Sequence, residues 1–182
     1  MNPNLKKLVS AAAVGALYAA LTMMLAPISY APLPIFPVEF RISEVLCILP
    51  FFFPGSAIGL FIGCLIANIL SPFGIIDVVF GSLATLLAGL CTAAIGKRAR
   101  KLGKASLGTC LAACIMPVLF NAPIIGAVIA YSSTEFEFWK GFVFYGAQIG
   151  IGELGVMLVL GLPIMRYILK NDALKVFFDK LK

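Results

Sequence analysis

The sequence has no histidine, and only 12% of its 182 residues are charged. Histidine is the side chain most often used for acid–base chemistry and metal binding, so its absence removes the usual basis for those activities. A soluble domain carries about twice this share of charge, which argues against a soluble protein. The nucleotide-binding pattern GxxxxGK[ST] is also absent, so the chain has no P-loop with which to use ATP itself.

Cysteine is present but in no pattern that indicates metal binding or disulfide formation. None of the five cysteines belongs to a CxxC pair, and all lie inside apolar segments: Cys47, Cys64, Cys91, Cys110 and Cys114. We therefore interpret them as small buried apolar side chains rather than as metal ligands or disulfide partners.

Apolar residues dominate the sequence, with 62% hydrophobic residues and a mean hydropathy of +1.06. The apolar runs do not alternate with polar residues as the strands of a membrane barrel do, so helices are the expected spanning elements. The net charge of +6 would also suit a nucleic-acid partner. However, the basic residues flank apolar runs, which is the pattern of a membrane topology signal. The sequence predicts an all-α membrane protein.

We predict one domain over residues 1–182 with six transmembrane helices. Lys6 and Lys7 before an apolar run also resemble the start of a signal peptide, but we assign the run to the first helix because no convincing cleavage site follows. The second and third helices are short, about 20 Å each at 1.5 Å per residue. The predicted ranges are 5–26, 40–53, 55–70, 73–96, 105–131 and 139–169, followed by an amphipathic tail over 171–182.

Proline and basic residues predict the connections and the orientation. Four prolines within 27–39 predict a non-helical segment, either a lid or a plain connection, and Pro117 and Pro123 predict interruptions of the fifth helix. The segment 97–104 has five Lys or Arg among eight residues, which predicts a cytoplasmic loop. Both termini are then cytoplasmic in a bacterial plasma membrane, and the tail is expected along the membrane surface.

Small residues recur every four positions in two of the predicted helices. The first helix carries Ala12, Ala16 and Ala20 on one row and Ala11, Gly15 and Ala19 on the next. The third carries Gly55, Gly59, Gly63 and Ala67. Small residues at this spacing let another helix approach closely, so we expect tight packing and, on the first helix, a docking face.

A few polar side chains lie inside the apolar segments and are the candidate binding residues. In the predicted topology most of them lie in the outer half of the bundle, and Glu153 is the deepest ionisable group. Polar groups in membrane segments usually mark a substrate site. Carboxylates, amides and aromatic rings suit a planar, nitrogen-rich ligand with several N–H donors. The candidates are Glu153, Asp77, Asn68, Asn121, Gln148, Glu44, Arg41, Tyr145 and Trp139.

Several of these residues also have a purely structural interpretation. Arg41 and Glu44 are spaced for a local ion pair, and Asp77 for a helix-start carboxylate. Asn68 and Asn121 could join helices by hydrogen bonds. The spacing of Gly146, Gly150 and Glu153 places them on one face, where glycines would let a flat ligand approach the backbone.

The run RISEVLCILPFFFPGSAIGLFIGCLIANILSPFGIIDVVFGSLATLLAG, with NAPIIG at 121–126 and GIGELG at 150–155, resembles the QueT family. This family consists of substrate-binding S components of energy-coupling factor (ECF) transporters associated with queuosine precursors. The resemblance covers about residues 8–168.

The resemblance implies a six-helix S-component fold whose outward-facing pocket binds queuine or a related 7-deazaguanine base. It implies a transmembrane coupling protein and two ATPase subunits as partners, with ATP hydrolysis driving uptake. It also implies docking through an AxxxA pattern on the first helix, which Ala12, Ala16 and Ala20 match. No cofactor or metal is implied.

Other functions stay open at this stage. The S-component fold could carry another vitamin-like heterocycle, and the chain could be a stand-alone channel or secondary carrier. An intramembrane enzyme would need a nucleophile and base or a metal site, for which the scattered acids give little support.

Overall fold

The computed structural model describes residues 2–30, 40–103 and 105–181. Within these ranges the chain is helical and forms no strand. The elements are α1 (Pro3–Met24), α2 (Ala26–Ser29), a 3-10 helix (Ile42–Ile48), α3 (Leu49–Phe52), α4 (Ser56–Asn68), α5 (Gly74–Lys101), α6 (Leu107–Ser132), α7 (Phe138–Val156), a π-helical turn (Met157–Gly161), α8 (Leu162–Lys170) and α9 (Asp172–Asp179).

Among the described residues, four helical stretches are long and apolar enough to cross a membrane. They are Asn4–Met24, Gly74–Lys101, Leu107–Ser132 and Phe138–Lys170. The apolar stretches Ile42–Phe52 and Ser56–Asn68 are shorter. The predicted all-α class is confirmed. The predicted number of six spans is not, because in the described part of the chain only these four stretches have the length of a span.

The second predicted helix differs most from its expected form. Residues 40–53 were expected to form one helix, but the chain forms the 3-10 helix Ile42–Ile48 and then the single turn α3. Pro50 lies in the first turn of α3, where a ring without an N–H donor is tolerated. The helix ends at Phe53, which has the extended backbone that the following Pro54 favours.

Three further predictions about proline and basic residues need correction. The helix α6 runs without a break through Pro117 and Pro123. The basic segment is the last part of α5 up to Lys101 rather than a loop. In the proline-rich segment, Pro27 lies in the first turn of α2, where proline is tolerated; the predicted lid or connection over 31–39 lies outside the described residues.

The backbones of α1 and α4 lie against each other through glycine. A Cβ atom on Gly59 would overlap the carbonyl oxygen of Ala11, and one on Gly63 would overlap the carbonyl oxygen of Gly15. The predicted tight face of the third helix is therefore confirmed, and its neighbour is the row Ala11, Gly15 and Ala19. The second row of α1 remains exposed at Ala12, Ala16 and Ala20.

The helices form a bundle around the 3-10 helix. Within it α4 contacts both α1 and α5, and α6 contacts both α5 and α7. The 3-10 helix touches α1, α5, α6 and α7, so it occupies the middle of the bundle. The polar residues of this short segment are consequently surrounded by the longer helices.

The basic end of the bundle holds an aromatic core that includes the C-terminal tail. Phe178 of α9 packs on Phe52 with ring centroids 5.2 Å apart. Arg100 donates to the carbonyl oxygen of Phe51 at 2.5 Å, where α3 ends and carbonyls need partners. The tail forms a helix as its amphipathic pattern suggests, with Phe177 on its exposed side.

Candidate functional site

A small polar cavity lies in the middle of the bundle. Its walls are Arg41, Glu44, Asn121 and Glu153, with Ile125 and Ile149 as the apolar part. These residues come from the segment around the 3-10 helix, from α6 and from α7. Four of the nine predicted site residues therefore share one cavity.

Glu153 is buried in this cavity and is only half satisfied. The Asn121 side-chain amide donates to its Oε1 at 2.6 Å. Its other oxygen, Oε2, has no hydrogen-bond partner among the described residues. Glu153 is 4% exposed. A buried carboxylate oxygen without a donor costs free energy, so this atom is ready to accept a hydrogen bond from a ligand.

Two neutral side chains donate hydrogen bonds to the carboxylate of Glu44. The Tyr18 hydroxyl donates to Oε1, and the Cys47 thiol donates to Oε2 at 3.1 Å. Tyr18 and Glu44 are both fully buried. The hydrogen bond from Tyr18 to Glu44 joins α1 to the 3-10 helix and fixes the carboxylate at the cavity wall.

Arg41 forms an ion pair with Asp77 rather than the expected local pair with Glu44. The guanidinium nitrogen lies 3.5 Å from Asp77 Oδ2, and the guanidinium stacks over Tyr30 at 5.1 Å from the ring centroid. Asp77 also lies in the first turn of α5, as its structural interpretation predicts. It does not line the cavity, so it acts on the cavity through Arg41.

Asn68 has a structural position at the junction of two helices. Its amide donates to the backbone carbonyl of Asp77 at 3.1 Å and so joins the end of α4 to the start of α5. Asn68 is fully buried but does not line the cavity. Asn68 therefore has the structural role of joining two helices by a hydrogen bond. Asn121 also joins two helices, but it lines the cavity as well.

The remaining three candidates are not among the residues that line the cavity. Trp139 and Gln148 line a separate groove of mostly apolar side chains on α7, and Trp139 is 68% exposed. The Tyr145 hydroxyl donates to Glu135 at 3.0 Å and lies 3.0 Å from the Ser133 hydroxyl, and its ring packs on the cluster of Ile125 and Ile149. These side chains do not contribute to the polar walls of the cavity.

The glycines expected beside the ligand serve helix packing instead. A Cβ atom on Gly126 would lie 2.7 Å from the Cα atom of Gly146, and one on Gly150 would contact Ala122. Both contacts join α6 and α7. These glycines therefore set the distance between Asn121 and Glu153 rather than form a surface for a flat ligand.

Sequence reasoning missed the residues that support the cavity. Two aromatic side chains and one thiol contact the charged residues, but side chains of these kinds are ordinary in an apolar segment. They are Tyr18, Tyr30 and Cys47. One signal was available for Tyr18, because it follows Gly15 by three residues on the packed side of α1. Pairing it with Glu44 needs the fold, since 26 residues separate them.

Two irregular helical segments meet beside the cavity. The π-helical turn Met157–Gly161 follows directly after Glu153's helix and contacts the 3-10 helix that carries Glu44. Irregular helical turns often occur at functional sites.

The cavity volume is about 20 Å³, room for about one water molecule. Known ligand pockets enclose about 300–1,000 Å³, so an organic ligand would bind only after the walls separate.

The donor set suits an organic ligand better than a metal. Among the described residues, no group of three His, Cys, Asp or Glu side chains could hold a metal ion. Carboxylate and amide oxygens beside one guanidinium can instead bind a ligand with several N–H donors and an acceptor.

The model of the family described as QueT transporter matches residues 8–170. The chain belongs to the QueT transporter family. The members of this family are transporters rather than enzymes, in agreement with the prediction that the chain is not an enzyme. The four long apolar helices of this QueT-family chain indicate an integral membrane protein.

A curated relative of this QueT-family chain supports the same assignment. It is the "Queuosine precursor transporter QueT" of Lactococcus lactis subsp. cremoris (strain MG1363), 44% identical over 82 residues. The matched part is 44% of this chain and 45% of the relative, so the match spans less than half the length of that protein. No solved structure matches this QueT-family chain.

Proposed function

We propose that this protein is the substrate-binding S component of an ECF-type importer that takes up a queuosine precursor, queuine or a related 7-deazaguanine base. ATP hydrolysis on two partner ATPase subunits would drive uptake through a transmembrane coupling protein. The observation that carries the proposal is the buried, unpartnered Oε2 atom of Glu153 in the cavity between α6, α7 and the 3-10 helix.

The chemistry of a deazaguanine matches the donor and acceptor positions of the cavity. The base has a paired donor edge, its N1–H and 2-amino group, and a carbonyl oxygen as an acceptor. Glu153 would accept the donor edge, and Arg41 would donate to the carbonyl oxygen. Ile125 and Ile149 would contact the ring faces.

The exposed row on α1 supports docking to a coupling protein. Ala12, Ala16 and Ala20 are exposed, while the neighbouring row is already used against α4. A partner helix would approach this row closely because its side chains are small. In the cell membrane both termini and the basic end of α5 would face the cytoplasm.

The proposed ligand can be tested by isothermal titration calorimetry with the purified protein in detergent. We expect saturable binding of queuine and its deazaguanine precursors, and weaker binding of guanine and thiamine. Heat is the appropriate signal because Trp139, the single tryptophan, lies outside the cavity. Absence of binding by every deazaguanine, together with binding of another heterocycle, would contradict the proposed ligand class.

The role as an S component can be separated from that of a stand-alone carrier. The purified chain is placed in liposomes with and without the coupling protein and ATPases, and uptake of labelled base is followed. We expect uptake only with the full complex and ATP. Uptake by the chain alone would favour a stand-alone channel or secondary carrier.

A further inference from the structure

A groove between the start of α6 and the end of α8 is lined by basic and apolar side chains and by no acidic one. Arg166, Leu169 and Lys170 line it from α8, and Leu107 and Cys110 line it from α6. Its volume is about 180 Å³. Leu169 and Cys110 also belong to the core at this end of the bundle. The groove therefore combines positive charge with an apolar wall.

The two basic side chains of this groove have no acidic partner. Arg166 and Lys170 are four residues apart, so they project from the same side of α8. Both are exposed, and neither forms an ion pair with a carboxylate of the described residues. Two like charges at this spacing destabilise a helix. An anion held between them would remove that repulsion.

A neighbouring groove, between α3, the end of α5 and α9, is less suited to an anion. Its basic side chains already have partners, since Arg100 donates to the carbonyl oxygen of Phe51 and Lys175 pairs with Asp172. A carboxylate, Asp179, also lines it. An anion there would be repelled by this carboxylate. The groove between α6 and α8 is consequently the better site for negative charge at this end of the bundle.

The groove between α6 and α8 lies where two membrane-spanning stretches end. Helix α8 is the last part of the stretch Phe138–Lys170, and Leu107 is the first residue of the stretch Leu107–Ser132. Leu107 is 49% exposed. The ends of a membrane-spanning helix lie at the level of the lipid headgroups, where phosphates meet the acyl chains. An amphipathic lipid is thus available at the position of the groove.

We propose that this groove binds the headgroup of an anionic phospholipid, with the phosphate between Arg166 and Lys170 and the start of the acyl chains against Leu107. Guanidinium and ammonium groups donate charge-assisted hydrogen bonds to phosphate oxygens. Basic pockets between transmembrane helices bind acidic lipid headgroups by this chemistry. A free phosphate ion would leave the apolar wall uncovered, whereas a lipid covers both parts of the groove. The inference does not depend on the cargo of the central cavity.

The test measures lipid binding to the purified full chain in a nonionic detergent by native mass spectrometry. Phosphatidylglycerol and phosphatidylcholine with identical acyl chains are compared, because the first has a net negative charge and the second has none. We expect phosphatidylglycerol to bind about tenfold more tightly, since each basic side chain near the headgroup adds to the attraction. Equal binding of the two lipids would overturn the inference, and this comparison needs no variant to fold.

Variants test whether the preference belongs to this groove. Arg166→Gln combined with Lys170→Gln should reduce the preference to about twofold. The matched control is Lys97→Gln combined with Arg98→Gln, which removes the same charges from exposed positions on α5 that do not line this groove. We expect the control to keep the full preference. Equal losses in the two double variants would show attraction to the basic end as a whole and would overturn the assignment to the groove.

Two further measurements separate the lipid from other occupants. Excess glycerol 3-phosphate at constant ionic strength should not displace phosphatidylglycerol, because it does not cover the apolar wall. Displacement would identify a free-anion site and contradict the lipid. If wild-type protein showed no lipid preference and the groove variant no longer co-purified with the coupling protein, the groove would belong to an acidic partner surface instead. None of these outcomes affects the proposed function, since no cargo is used.

Discussion

The amide nitrogen of Asn121 lies 2.6 Å from one carboxylate oxygen of Glu153, and the other oxygen of that carboxylate has no partner among the described residues. Because the two residues lie on α6 and α7, the contact joins the helices and leaves one acceptor facing the cavity. Both oxygens of Asp77 also lack hydrogen-bond partners among the described residues, but that carboxylate faces Arg41, whereas the open oxygen of Glu153 belongs to a cavity wall and so indicates a ligand.

Glu153→Gln should weaken binding of the deazaguanine base by at least tenfold. Glutamine keeps the shape, removes the negative charge and replaces the open acceptor oxygen with an N–H donor, and a tenfold loss corresponds to about 1.4 kcal/mol. Calorimetry with the purified variant measures the loss. Glu137→Gln is the matched control, and an unchanged affinity in Glu153→Gln would remove this residue from the contacts to the ligand.

Tyr18→Phe should lower both stability and ligand affinity. The substitution removes the hydroxyl that donates to Glu44 and leaves a buried carboxylate oxygen short of a donor, at a cost of about 1–3 kcal/mol. The melting temperature in detergent and the dissociation constant are the two measurements. Tyr131→Phe is the control because Tyr131 is 74% exposed; equal behaviour of the two variants would contradict the role of Tyr18.

Arg41 and Asp77 should behave as a coupled pair in a double-mutant cycle. Removing one partner of a buried ion pair typically costs about 3–5 kcal/mol because the other charge stays buried. We therefore expect Arg41→Gln and Asp77→Asn each to lower the melting temperature strongly, and the double variant to lose less than the sum. Asp172→Asn, which breaks an exposed pair with Lys175, should change little. Additive losses would show that the pair is not coupled.

Gly59→Ala should disrupt the packing of α1 on α4. The added Cβ atom would overlap the carbonyl oxygen of Ala11, a backbone atom that cannot turn aside, so the helices must separate. Overpacking typically costs about 1–3 kcal/mol, which is measurable as a lower melting temperature. Gly108→Ala is the control, since the nearest atom to its Cβ lies 3.7 Å away. Similar melting temperatures for the two variants would contradict close packing at Gly59.

Ala16→Leu should impair assembly with the coupling protein while leaving base affinity unchanged. Ala16 is exposed and does not line the cavity, so a larger side chain there obstructs only a helix that packs on this row. Co-purification with the coupling protein measures assembly. The matched control is Ala94→Leu on α5, also at an exposed alanine. Normal assembly of Ala16→Leu would place the docking face elsewhere.

The fold class and the tight helix contacts could be predicted because they depend on local patterns. Apolar runs predicted the helices, and glycines at four-residue spacing predicted the close face of α4. The 3-10 geometry of Ile42–Ile48 could not be predicted, because it depends on how this segment fits between α1, α5, α6 and α7. The continuity of α6 through Pro117 and Pro123 likewise depends on neighbouring helices.

The candidate site could be predicted in its charged residues and in one amide, Asn121. Buried charge in a membrane segment stands out, so Arg41, Glu44 and Glu153 were found. Tyr18 was missed because a tyrosine in an apolar helix looks ordinary until its partner, 26 residues away, is known. Of the aromatic candidates, Trp139 lies on an exposed side of α7, whereas Tyr145 packs on the cluster of Ile125 and Ile149 beside the cavity. Spacing along α7 alone does not show this difference.

Conversion of the 3-10 helix Ile42–Ile48 into an α-helix would shorten one wall of the cavity. A 3-10 helix rises about 2.0 Å per residue and an α-helix 1.5 Å, so seven residues shorten by about 3.5 Å when they adopt α geometry. The aromatic core anchors the far end at Phe51 and Phe52, so the contraction would be taken up at Arg41. Such a contraction would change the distance between Arg41 and Glu153, which form opposite parts of the cavity lining.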